Sequence, residues 1–160
     1  MRTVKIPIKP HLKKFVLKTY DCENEIVKAT KHNSLGIMIE MVLRLQYEIH
    51  VTSVDKYTEV LEIELNQDCS NLEVRAKRIA YVNYILEKDF KATMFLFVQA
   101  QKLQAIPALT GIKTFLKFYG IEEYEYGSDS AYRQWTRMSN DEYNRKKKRP
   151  VLLQDSQESA

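Results

Sequence analysis

The chain has 160 residues, with 25 Lys+Arg, 21 Asp+Glu, 44% apolar and 29% charged residues, enough for one domain to bury a core without staples. With four Gly, four Pro and two Cys, it is neither a disulfide scaffold nor a Gly/Pro-rich disordered chain. No apolar run approaches the ~20 residues of a membrane span, and the opening segment has no secretory apolar region, so a cytoplasmic protein is expected.

Residues 3–8 place Val4, Ile6 and Ile8 at period two, a strand with one apolar face. Pro7 points the other way and lacks an N–H, which predicts an edge strand or one beside a bulge. Pro10 suits the first turn of a helix, whose stripe is Leu12, Phe15, Val16 and Tyr20, with Lys13, Lys14 and Lys18 off it. Residues 25–30 form a short strand. Asn33 or Ser34 caps a helix over 34–45 that carries Leu35, Met38, Met41, Val42 and Leu45, with Ile37 and Ile39 widening its apolar face, so burial on most sides is expected. A hairpin follows. Tyr47, Ile49 and Val51 alternate with polar residues over 47–52, and Leu61, Ile63 and Leu65 do so over 58–66, with the connection at 53–57.

Ser70 and Glu73 match a capping box. From Leu72 through Ala76, Ile79, Val82, Leu86, Phe90, Met94 and Phe97 the apolar steps are three or four, giving one helix from 71 to about 104, or two broken near Glu87-Lys88-Asp89. Residues 94–98 are apolar all round and should be covered, either by the chain's own core or as a dimer seam at Met94, Phe95 and Phe97. Pro107 opens a helix with Ile112, Phe115, Leu116 and Tyr119, and Gly120 stands where a left-handed cap belongs. Ser128 or Asp129 caps the last helix, with Tyr132, Trp135 and Met138 on one side and Arg133 and Arg137 sharing another. The domain is 1–148, and 149–160 is a disordered polar tail. The fold class is α+β: a small antiparallel sheet, made of the N-terminal strand plus one hairpin, packed on a bundle of four to six helices.

Charge is segregated along the chain. Residues 1–20 hold six bases and no acid, residues 21–67 hold nine acids against four bases, and Arg145, Lys146, Lys147, Lys148 and Arg149 are consecutive. Basic patches can hold a phosphate backbone by counterion release, and the plainer reading is that such charges are merely solvated. The candidate nucleic-acid contacts are therefore Lys5, Lys9, Lys13 and Lys14 at one end, and Arg133, Arg137, Arg145, Lys146, Lys147, Lys148 and Arg149 at the other. Tyr132 and Trp135 lie among the latter and could stack on bases, although core anchoring is the commoner use of a lone Trp. The helix–hairpin order loosely matches a winged helix. However, the helix over 34–45 offers only Glu40, Arg44 and Gln46 to base edges.

Catalysis finds little support. There is no Gly-x-Ser-x-Gly elbow and no phosphate-binding glycine loop, and neither Cys22 nor Cys69 sits with a His in a known pattern. His11, His32 and His50 are scattered, so no metal site and no cofactor are expected. Glu59, Glu62 and Glu64 could bind a hard cation in a nuclease-like way, but outward alternation on a strand explains them more simply.

The segment Ile6-Pro7-Ile8-Lys9-Pro10-His11-Leu12-Lys13-Lys14-Phe15 resembles the opening of small uncharacterised proteins carried by bacterial prophages and mobile elements. Phe115-Leu116-Lys117-Phe118-Tyr119-Gly120-Ile121, a short acidic connection and Asp129-Ser130-Ala131-Tyr132-Arg133-Gln134-Trp135 resemble the later half of the same group. The resemblance covers most of 4–138 in pieces. It implies an intracellular role in element biology and transfers no catalytic residue. The expected function is a non-catalytic DNA-associated regulatory or accessory protein, forming a homo-oligomer and using no small-molecule substrate or membrane. The alternative is an assembly or structural protein acting through protein contacts, and a metal-dependent nuclease ranks third.

Overall fold

A computed structural model describes residues 2–44, 57–65 and 76–148. In chain order they form β1 (Arg2–Ile8), α1 (Pro10–Thr19), β2 (Cys22–Glu23), β3 (Ile26–Ala29), α2 (Ser34–Arg44), β4 (Glu59–Leu65), α3 (Ala76–Leu103), α4 (Ala108–Tyr119) and α5 (Ser128–Lys148). The fold is α+β, a small sheet packed on helices.

The sheet runs β1-β4-β3-β2. β1 pairs with β4 antiparallel along its whole length, Arg2 opposite Leu65 through Ile8 opposite Glu59. As Pro7 requires, β1 lies at the edge. Ile6 and Ile8 of β1 and Leu61, Ile63 and Leu65 of β4 are buried on one face, the face their alternation defines.

The expected all-antiparallel sheet is corrected to a mixed one. β4 is parallel to β3, with Val27 opposite Ile63 and Ala29 opposite Leu65. A parallel pair needs a crossover between its strands, and α2 lies in that connection. Alternation reports which side of a strand is buried and not the direction of its neighbour. Among the described residues a hairpin joins β2 to β3 through Asn24 and Glu25, both at positive φ (52° and 62°), the two-residue turn geometry that suits strand twist. The expected strand over 47–52, the capping box at Ser70 and Glu73, Cys69 and the tail at 149–160 lie outside the described residues.

Asn33 caps α2, its Oδ1 accepting from the Gly36 N–H at 2.7 Å while its Nδ2 donates to the Lys28 carbonyl at 2.7 Å. That ties the start of α2 to β3. Leu35, Ile39, Val42 and Leu43 are buried, but Ile37 and Met41 are 48% and 65% exposed, so this helix is covered on one side rather than most. α3 runs unbroken through Glu87-Lys88-Asp89. Leu86, Phe90, Met94 and Val98, each four residues after the last, are fully buried. Phe97 packs on Phe115 with ring centroids 5.6 Å apart, so Met94 and Phe97 belong to the chain's own core. Leu96 points outward at 67% exposure. The core centres on Phe90, whose ring meets Phe15 at 5.4 Å, Phe115 at 5.7 Å and Tyr126 at 5.3 Å. Asn83, buried on α3, donates to the Pro7 carbonyl at 2.7 Å. It pins the edge strand to the long helix at the point where proline removes a donor.

Gly120 ends α4 at φ 67° in the left-handed region, where glycine carries no Cβ penalty. Gly36 has a different reason to be glycine. A Cβ there would lie 1.9 Å from the Thr30 carbonyl oxygen. Gly36→Ala should therefore lower stability by about 2 kcal/mol or more. Gly111→Ala, whose Cβ would meet only ordinary contacts at 3.5 Å and beyond, should be neutral or stabilising by up to ~1 kcal/mol. Urea denaturation of both variants checks the opposed signs.

Candidate nucleic-acid interface

Pro10 opens α1, and Leu12, Phe15 and Val16 bury its apolar face. The lysines on its rim and just before it reach carboxylates far away in sequence. Lys9 Nζ lies 2.5 Å from Glu87 on α3, which also accepts from Lys91 at 2.7 Å. Burial alone would raise the Glu87 pKa, but the two ammonium hydrogen bonds outweigh it and hold the group at about 2. Lys13 lies 3.3 Å from Glu59 on β4 and 3.7 Å from Glu25 in the β2–β3 turn. Lys14 pairs with the nearly buried Glu125 at 2.7 Å and donates to the Gly120 carbonyl at 2.7 Å. The Glu125 hydrogen bond raises the Lys14 pKa. Lys18 donates to the Phe118 carbonyl at 2.5 Å and sits 4.2 Å from the centre of that residue's ring. Lys5 faces Glu62 across β1 and β4 at 3.0 Å. Thus Lys5, Lys9, Lys13 and Lys14 are all engaged with acids of the same chain.

His11 occupies the middle of this joint. Its ring is buried between Phe90, at 5.2 Å, and Tyr126, at 4.8 Å, and neither ring nitrogen has a hydrogen-bond partner among the described residues. Burial, with the Lys9 charge nearby, lowers its pKa from 6.5 to about 4.

α5 is built differently. Glu123 Oε1 accepts from the Ser128 N–H at 2.8 Å and from its hydroxyl at 3.1 Å. The cap expected from Ser128 or Asp129 is thus supplied by Glu123, with Ser128 already inside the helix. A carboxylate there also favours the helix dipole. Ala131 is fully buried and Trp135 nearly so. The Trp135 ring lies 5.1 Å from Lys102 Nζ, so this aromatic anchors α5 to α3 and does not offer a face to bases. Tyr132 remains exposed.

Opposite that anchor, Arg133, Arg137, Asn140, Asn144 and Lys147 are all exposed. Their spacing of four, three, four and three keeps them on one side of the helix. Among the described residues no carboxylate lies within ion-pair distance of Arg133, Arg137, Arg145 or Lys147. Lys146 and Lys148 belong to the last turn of α5, and Arg149 lies outside the described residues. Asn140 and Asn144 escaped a reading that counted charges alone, although their place in the Arg133–Arg137 repeat was visible. Lys113 and Lys117, four residues apart, exposed on α4 and bordering the cleft at the start of α5, also have no ion-pair partner among the described residues.

Among the described residues no three His, Cys, Asp or Glu side chains are grouped as a metal site. Glu59 and Glu62, offered above as cation ligands, face Lys13 and Lys5. No described helix is long and apolar enough to cross a membrane. Comparison with family models, curated proteins and solved structures finds no match.

The His11 environment sets a pH dependence. Its folded pKa of about 4 lies below the unfolded 6.5, so its contribution is complete above pH 6.5 and is lost as pH falls through that window toward 4. The protein should be about 2 kcal/mol less stable at pH 5 than at pH 7 from this residue alone. Denaturation of wild type and His11→Phe at the two pH values checks this, since the substitution should remove that difference.

Proposed function

We propose that the protein is a non-catalytic DNA-associated regulatory or accessory protein that holds phosphates through α5. The observation that carries this reading is the contrast between two sets of bases. Lys5, Lys9, Lys13 and Lys14 of the N-terminal segment are neutralised by acids of the fold, whereas Arg133, Arg137, Arg145 and Lys147 stand exposed without a carboxylate partner among the described residues. α5 carries six bases against three acids, and released counterions would drive such a surface onto a polyanion. Lys113 and Lys117 extend the positive surface toward the start of the helix. The resemblance of 6–15, 115–121 and 129–135 to prophage and mobile-element proteins supports a cytoplasmic setting in element biology, with a second copy of the chain as a partner.

A second reading, assembly through protein contacts, draws on Leu96 and Leu103. They lie seven residues apart on one side of α3, at 67% and 91% exposure. Oligomers held by apolar burial persist in high salt, whereas phosphate binding weakens.

A titration with duplex DNA at several salt concentrations tests the leading reading. Wild type should bind with a steep log–log salt slope. Arg133→Gln/Arg137→Gln should weaken binding by about tenfold and flatten the slope by roughly two. Lys5→Gln, which removes a pair whose lysine is 73% exposed, should leave affinity within about twofold. Salt-insensitive binding, or equal effects of the two variants, would reject α5 as the phosphate surface.

A further inference from the structure

Phosphate binding explains the arginines and Lys147 but not the two asparagines set between them. On an exposed helix face Asn is a poor choice for stability, because its short amide competes for the backbone and its helix propensity falls below that of Lys, Glu or Gln. It also carries no charge to draw a phosphate by counterion release. What Asn offers is a carboxamide that donates and accepts at once, the pattern complementary to the adenine edge in the major groove.

The geometry suits that use. After Met138 the helix continues through Lys148. In that stretch Asn140, Asp141, Tyr143, Asn144, Arg145 and Lys147 are exposed, so these turns stand clear of the body. Ten residues of helix extend about 15 Å, against a major groove about 12 Å wide and 8.5 Å deep. Asn140 and Asn144 are separated by about 6 Å along the axis, close to two base-pair steps of about 3.4 Å. Arg137 precedes them and Lys147 follows on the same side, placed for the backbones that border the groove. At the start of the helix the opposite face is occupied by Ala131 and Trp135, which leaves the Arg–Asn side turned outward.

We infer that α5 is a reading helix for duplex DNA, entering the major groove with Asn140 and Asn144 on adenine edges and Arg133, Arg137 and Lys147 on the flanking phosphates. This rests on α5 being the DNA surface and adds sequence selectivity to it.

The test is selection of a randomised duplex pool on the full chain. It is followed by affinities of wild type and Asn140→Ala/Asn144→Ala for the selected duplex and a scrambled one. Selection should enrich sites with adenines about two steps apart, preferred about tenfold or more by wild type. The double variant keeps a helix-favouring residue at both positions. It should lose the preference, binding the selected duplex no better than the scrambled one. An unenriched pool that is nonetheless bound would overturn the readout and leave the phosphate surface standing, as would a preference retained by the double variant. Absence of any duplex binding by wild type would overturn both.

Discussion

The fold depends on the way α1 is held. Its apolar face supplies Leu12, Phe15 and Val16 to the core, and Lys9, Lys13 and Lys14 beside that face are each met by an acid from another element: Glu87 of α3, Glu59 of β4, and Glu125 between α4 and α5. These pairs are partly buried, so truncating one partner leaves a desolvated charge behind, which costs more than the loss of an exposed pair. Lysine also suits the rim for its long apolar stem, which covers the aromatic core while the ammonium reaches outward. The sheet, the long helix and the C-terminal helices thus meet at one helix, and His11, with no hydrogen-bond partner among the described residues, is enclosed at the same joint.

This explains the segregation of charge along the chain. Bases of the first twenty residues and acids of β4, α3 and the connection before α5 are complementary parts of one folded structure, brought together across sequence separations of 46 to 111 residues. A linear charge count cannot distinguish that from a surface made for a polyanion, because the partners are set by topology. The bases of α5 differ in kind. Arg133, Arg137 and Lys147 lie on the outer side of a helix whose inner side is fixed by Ala131 and Trp135, and among the described residues Asp129 and Asp141 form no ion pair with them.

Much of the fold was legible locally. Alternation located β1 and β4, Pro7 marked the edge, three- and four-residue spacing ran through α3 without a break, and Gly120 and Pro107 bounded α4. The direction of β3 beside β4 was not legible, since it follows from the α2 crossover and not from either strand. The β2–β3 turn was hidden because a glutamate occupies one of its two positive-φ positions. The outward turn of Leu96 within an apolar run depends on which helices lie nearby. For the site, the Arg133–Arg137 spacing was visible and the pairing of Lys9, Lys13 and Lys14 was not.

The claim that the N-terminal bases serve the fold while α5 serves DNA is tested most directly by mapping lysine acetylation rates, residue by residue, in free and duplex-loaded protein. Lys9, Lys13 and Lys14, with side chains 22% to 37% exposed and paired, should react slowly in both states. Lys147 should react fast when free and be protected by the duplex. Protection that appears at Lys13 and Lys14 and leaves Lys147 unchanged would contradict the account.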